Sequence, residues 1–182
     1  MSLRTTLSTG LFALITVLAF AGTASASTLT SPEGTTYTGE IVATSTNSEL
    51  DRAFVTTKCG HSETKGKVES HGPGANATIV FSSLTFTECN YRTTVQKPGI
   101  WEITSSNTVI SNGMEFTMDT SVGSCTFSTS NTSIGPLTEG ANASLDINSP
   151  NLPKTGGNFL CGSSMTWTGS YDFTTPNDLW VD

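Results

Sequence analysis

Positive charge is scarce in this chain of 182 residues: eight Lys and Arg stand against fifteen Asp and Glu, with no basic cluster. Nucleic acid is held by grouped cations on phosphate, so it is excluded as a partner. No apolar run after residue 27 approaches the about 20 residues needed to cross a bilayer, so no membrane span is expected in the exported chain. No two cysteines form a C-x-x-C half-site, and the chain lacks both the G-x-x-x-x-G-K-[ST] phosphate loop and the G-x-S-x-G nucleophile elbow. His61 and His71 are the only histidines. These gaps lead to the expectation of a non-enzymatic protein with no metal and no other cofactor.

The N-terminus does carry a pattern. Arg4 supplies a positive n-region, Leu11 to Ala21 an apolar h-region, and Ala24-Ser25-Ala26 the small residues of a cleavage site. Residues 1–26 therefore read as a signal peptide and Ser27–Asp182 as the mature, extracellular chain. Without Arg4 the mature chain has seven basic and fifteen acidic side chains, a net charge of −8.

Ser and Thr fill 57 of the 182 positions, a composition that suits either a disordered chain or the solvent face of strands. Alternation decides for strands. Met165, Trp167, Gly169, Tyr171 and Phe173 share one face, as do Met114, Phe116 and Met118, and Ala77, Ile79 and Phe81. The apolar phase switches between Phe81 and Leu84, which places a bulge or a sheet-switching bend at Ser82-Ser83. Turn formers punctuate the chain, among them Lys97-Pro98-Gly99, Asn112-Gly113 and Gly135-Pro136. The pattern predicts an all-β fold of about 12 to 14 strands, a β-sandwich of immunoglobulin-like or related type.

An internal repeat runs at an offset of 66 residues. Gly74-Ala75-Asn76-Ala77-Thr78-Ile79 returns as Gly140-Ala141-Asn142-Ala143-Ser144-Leu145, and Cys59 falls on Cys125. Cys89 meets Cys161 once six extra residues are allowed in the second copy. The copies span about 33–103 and 104–182 and are expected to share one domain, since about 75 residues make a marginal core alone. Four cysteines in an exported chain predict two disulfides, in any of three pairings. A duplicated unit that carried one bridge favours Cys59–Cys89 with Cys125–Cys161.

Several segments carry a resemblance. They include Ser83-Leu84-Thr85-Phe86-Thr87-Glu88-Cys89, Lys97-Pro98-Gly99 with Trp101-Glu102-Ile103, Cys125-Thr126-Phe127, and Phe159-Leu160-Cys161-Gly162 with Trp167-Thr168-Gly169. Together they resemble a family of secreted, cysteine-containing, β-rich actinobacterial proteins for which no activity is established. The resemblance implies export and a bacterial source, and it assigns no functional residue.

Candidate sites are few. Leu152-Pro153-Lys154-Thr155-Gly156 matches the sortase pattern, but no apolar span or basic tail follows it, and its place in the insertion predicts a surface loop. Cys59-Gly60-His61 with Glu63, Glu69 and His71 reads as a solvated hairpin rather than a metal or thiol site. Glu63/Glu69 and Asp119/Glu139 are carboxylate pairs of the kind a glycosidase uses, though any acidic chain offers such pairs. Trp180 and Trp101 are the aromatics that could stack on a sugar, whereas Trp167 belongs to the core face. The expected function is that of a secreted, non-catalytic extracellular or cell-envelope protein, with an envelope polysaccharide or protein as partner. A carbohydrate-binding module and a hydrolase with carboxylates dispersed in sequence are the alternatives.

Overall fold

The computed structural model describes residues 27–52, 54–70, 76–121 and 123–182. Residues 1–26, read above as a signal peptide, and His71 lie outside these residues. Fourteen strands follow one another: β1 (Leu29–Thr30), β2 (Glu40–Ser45), β3 (Ser48–Arg52), β4 (Val55–Ser70), β5 (Ala77–Cys89), β6 (Arg92–Lys97) and β7 (Ile100–Ile103), then β8 (Thr108–Asn112), β9 (Glu115–Thr120), β10 (Gly123–Ser128), β11 (Thr132–Thr138), β12 (Ser144–Gly156), β13 (Ser164–Thr175) and β14 (Trp180–Val181). Among the described residues the one helical element is a single 3-10 turn at Phe159–Cys161.

β2 and β3 act as one strand broken at Thr46-Asn47. Both pair with β4, β2 from Glu40↔Lys67 to Ser45↔Ser62 and β3 from Ser48↔Cys59 to Arg52↔Val55. Asn47 caps the break: its side-chain oxygen accepts from Ser45 Oγ (3.1 Å) and from the Ser170 amide (3.3 Å). From here the ladders run β4, β5, β7, β8, β11, β12, β13, and β13 returns to β2 and β3 through Asp172↔Thr44 and Trp167↔Leu50.

The eight positions close into a barrel, and the expected sandwich is corrected on that point. A sandwich needs two sheets with free edges, whereas this circuit has none. Bulges supply the bending that closure requires. Ser82 is the extra residue between Lys65↔Ser83 and Gly66↔Phe81, where the apolar phase switches, and further register shifts fall at Ser149/Leu152 and Phe173/Thr175. Outside the circuit, β6, β9 and β10 form a three-stranded flap joined to the C-terminal end of β12 at Thr126↔Gly156. β1 and β14 pair the two ends of the described chain, with reciprocal bonds between Thr28 and Asp182 of 2.7 and 2.9 Å.

Eight strands leave an interior just wide enough for side chains to fill. β7 and β13 stand opposite each other in the circuit, so the edge-on contact of Trp101 with Tyr171 (6.5 Å between centroids, 88°) crosses the barrel. Phe81 meets Trp101 at 4.5 Å, and Trp167 meets Tyr171 at 5.9 Å and 90°. Edge-to-face rings add a directional term to their area burial. Phe86 and Phe116 extend the same core toward the flap. A single cluster of buried side chains draws on both halves of the sequence, from Leu29 to Leu179.

Candidate functional site

The cysteines pair as Cys59–Cys89 and Cys125–Cys161, and no described cysteine is free. Cys59 and Cys89 are direct partners across β4 and β5, with Cα atoms 3.9 Å apart. The second bridge joins β10 to the 3-10 turn, and both its cysteines are fully buried. Gly157 permits that bridge: at φ +100° a Cβ there would lie 2.7 Å from Cys161 Sγ and 2.6 Å from the Ser124 carbonyl oxygen. Two disulfides fit an oxidising, extracellular environment, and among the described residues no helix is long and apolar enough to cross a membrane.

Inside the barrel lies a hydroxyl cluster. Ser62 Oγ donates to Tyr171 Oη at 2.6 Å, and Ser48 Oγ stands 2.7 Å from Ser62 Oγ and 3.2 Å from Tyr171 Oη. Burial pushes the Tyr171 hydroxyl up to about 12, against hydrogen bonds from the two serines that pull it down. The Trp167 indole N–H lies close enough to pull in the same direction, though outside hydrogen-bond geometry. Gly169 leaves room for the cluster, since a Cβ there would sit 3.2 Å from Ser48 Oγ. A sealed site of this kind pins β3, β4 and β13 together and meets no solute.

The residues singled out in the sequence scatter. His61 and Glu63 lie on β4, in its antiparallel pairing with β5, and Glu63 pairs with Lys65 at 2.9 Å. Asp119 accepts a hydrogen bond from Ser124 on the flap, while Glu139 accepts from the Val181 amide at 3.0 Å on the far side of β11. Among the described residues no group of three or more His, Cys, Asp or Glu converges. The sortase-like Leu152–Gly156 segment is the C-terminal end of β12 rather than a surface loop. Trp101 has no exposed surface, so it cannot reach a sugar. Trp180 is half-buried on β14, opposite Thr30.

Two shallow concavities mark the outer wall. One, of about 290 Å³, is lined by Glu40, Gly66, Lys67, Val80 and Ser82. The other, of about 310 Å³, lies beside the Cys59–Cys89 bridge and holds Asn47, Glu49, Lys58 and Glu88. Glu49 is engaged by Lys58 at 2.7 Å, a hydrogen bond that raises the lysine pKa. Glu88, at φ +56°, lies over Gly60, where a Cβ would come within 2.6 Å of its carboxylate.

The exposed aromatics were not the ones the sequence nominated. Phe54 is 94% exposed and Phe159 85%, with Leu160 at 42%. They occupy one end of the molecule, because Arg52, at the end of β3, donates from Nη1 to the Leu160 carbonyl (3.3 Å) and from Nη2 to Thr120 Oγ1. Phe159 stands two residues before Cys161 and Phe54 shares the parity of Leu50 and Arg52, so neither offered a signal in the sequence.

Searches against family models, curated proteins and solved structures found no match.

Proposed function

We propose that this chain is an exported, non-catalytic interaction protein of the extracellular space or cell envelope, a disulfide-stapled barrel that meets its partners with its outer surface. The observation that carries the reading is the filled interior. Trp101, Trp167 and Tyr171 occupy the place where a ligand-carrying barrel keeps its cavity. The signal-peptide pattern, the resemblance to secreted actinobacterial proteins and the two bridges support export. An envelope polysaccharide or protein is the partner class.

The internal duplication belongs to the same proposal. Its support is the order of the ladders: β2/β3, β4, β5 and β7 fill the first four places of the circuit, and β8, β11, β12 and β13 the second four. In addition β3 and β9, at the same repeat position, each pair with the strand that follows the 66-residue offset, β4 and β10.

Co-sedimentation with isolated envelope fractions, alongside a panel of glycoside, ester and peptide substrates, tests the reading. The oxidised mature chain is expected to pellet with the envelope and to turn over none of the substrates. Turnover that Glu49→Gln or Glu88→Gln abolishes would identify a hydrolase at the second concavity instead. Glycan binding lost on Trp180→Ala would favour a carbohydrate-binding module.

A further inference from the structure

Exposure of Phe54 and Phe159 is selective. The other phenylalanines among the described residues, Phe81, Phe86, Phe116, Phe127 and Phe173, are all buried. The two exceptions share one end of the barrel with half-exposed Leu160, and Arg52 ties their loops together. Arg52 is itself only 4% exposed and forms no ion pair among the described residues, so a buried cation is spent on fixing this end. A patch of this kind in a soluble chain marks a contact surface.

Area and charge point to the occupant. Two phenyl rings at about 200 Å² each, with part of Leu160, give roughly 450 Å² of apolar surface per chain. Two such ends face to face supply about 900 Å² before any rim, and a specific interface needs about 1,200–2,000 Å² in total. Half-buried Tyr91, exposed Arg92 and half-buried Lys154 surround the patch and can supply the rest; Tyr91 is close enough to Arg52 to act on its charge, and Lys154 donates to the Asn158 carbonyl at 3.1 Å. The same end carries both signs. Exposed Arg92 and half-buried Lys154 stand with Asp119, the register partner of Arg92, so two copies turned about a twofold axis can match cation to carboxylate.

We infer that this end is an isologous dimer interface, and that the partner of Phe54, Phe159 and Leu160 is the same end of a second copy of this chain. The inference goes beyond the proposed function, and its failure would leave the export and envelope tests untouched.

Sedimentation velocity of the oxidised mature chain, from about 1 to about 100 µM, reads it directly. The weight-average mass is expected to rise from one chain toward two. Phe54→Ser and Phe159→Ser should each raise the dissociation constant at least tenfold, and the double variant should stay monomeric across the range. Both side chains are solvent-facing, so near-ultraviolet circular dichroism should confirm an unchanged fold. A wild-type chain that stays monomeric throughout overturns the inference, as does association that neither substitution weakens. Wild-type monomer that pellets with phosphatidylcholine–phosphatidylglycerol vesicles, and loses that on Phe54→Ser, also overturns it and gives the loops to a bilayer.

Discussion

The guanidinium of Arg52 donates to the main-chain carbonyl of Leu160, which lies 108 residues further along the chain. That contact, with the bond to Thr120, joins the end of β3, the end of β9 and the disulfide-linked 3-10 turn. Arg52→Ala removes both hydrogen bonds of a buried guanidinium together with its packing, so a loss of about 2–3 kcal/mol is expected in urea unfolding. Lys58→Ala, which breaks a solvent-exposed pair with Glu49, should leave the midpoint unchanged. Equal effects of the two substitutions would contradict the assignment.

Tyr171 gives the fold an alkaline limit. Its folded pKa of about 12 exceeds the ordinary value of 10.0, so the neutral hydroxyl is the form the fold stabilises. That stability is complete below pH 10 and is lost as the pH rises toward 12, because the unfolded chain releases the proton first. The loss amounts to about 3 kcal/mol across the window. In Tyr171→Phe this part of the pH dependence should vanish, while stability at pH 7 falls by about 1–2 kcal/mol. An identical alkaline slope in both proteins would place the titration elsewhere.

Gly135 and Gly113 separate backbone conformation from space. Both have positive φ, but a Cβ on Gly135 would fall 1.9 Å from the Asp146 carbonyl oxygen, whereas one on Gly113 meets nothing within 4 Å. Gly113→Ala should cost about 1 kcal/mol from strain alone. Gly135→Ala forces β11 away from β12 and should cost more than about 3 kcal/mol or prevent folding. Comparable thermal midpoints for the two variants would argue against the close approach of β11 and β12.

The bridges should differ in accessibility more than in strength. They close sequence separations of 30 and 36 residues, each worth about 3.5–4 kcal/mol by chain entropy. Cys89 is half-buried, while Cys125 and Cys161 are fully buried. Graded reduction with dithiothreitol followed by alkylation should label Cys59 and Cys89 first. Earlier labelling of Cys125 would show that the flap opens before the barrel wall.

Local features of the fold were legible where alternation is strict. The face of β13 from Met165 to Phe173 and the bulge at Ser82 follow from side-chain periodicity. Closure was not legible, because period-2 alternation says which side chains share a face and not whether the sheet returns on itself. The ladder from β13 to β2 joins residues about 130 positions apart, a distance that no local pattern encodes. Trp101 shows the same limit: its alternation with Ile103 marks a face, and only the barrel makes that face the interior. The end at Phe54 and Phe159 needed the long-range reach of Arg52 to be seen as one surface.

Mass-spectrometric peptide mapping of the protein recovered from cells and from culture medium, without reduction, tests the central proposal of a secreted, bridge-stapled barrel most directly. The account predicts an N-terminal peptide beginning at Ser27, together with linked peptides joining Cys59 to Cys89 and Cys125 to Cys161. An intact Met1 on a folded intracellular product, four free thiols, or a peptide joining Cys59 to Cys125 or Cys161 would contradict it.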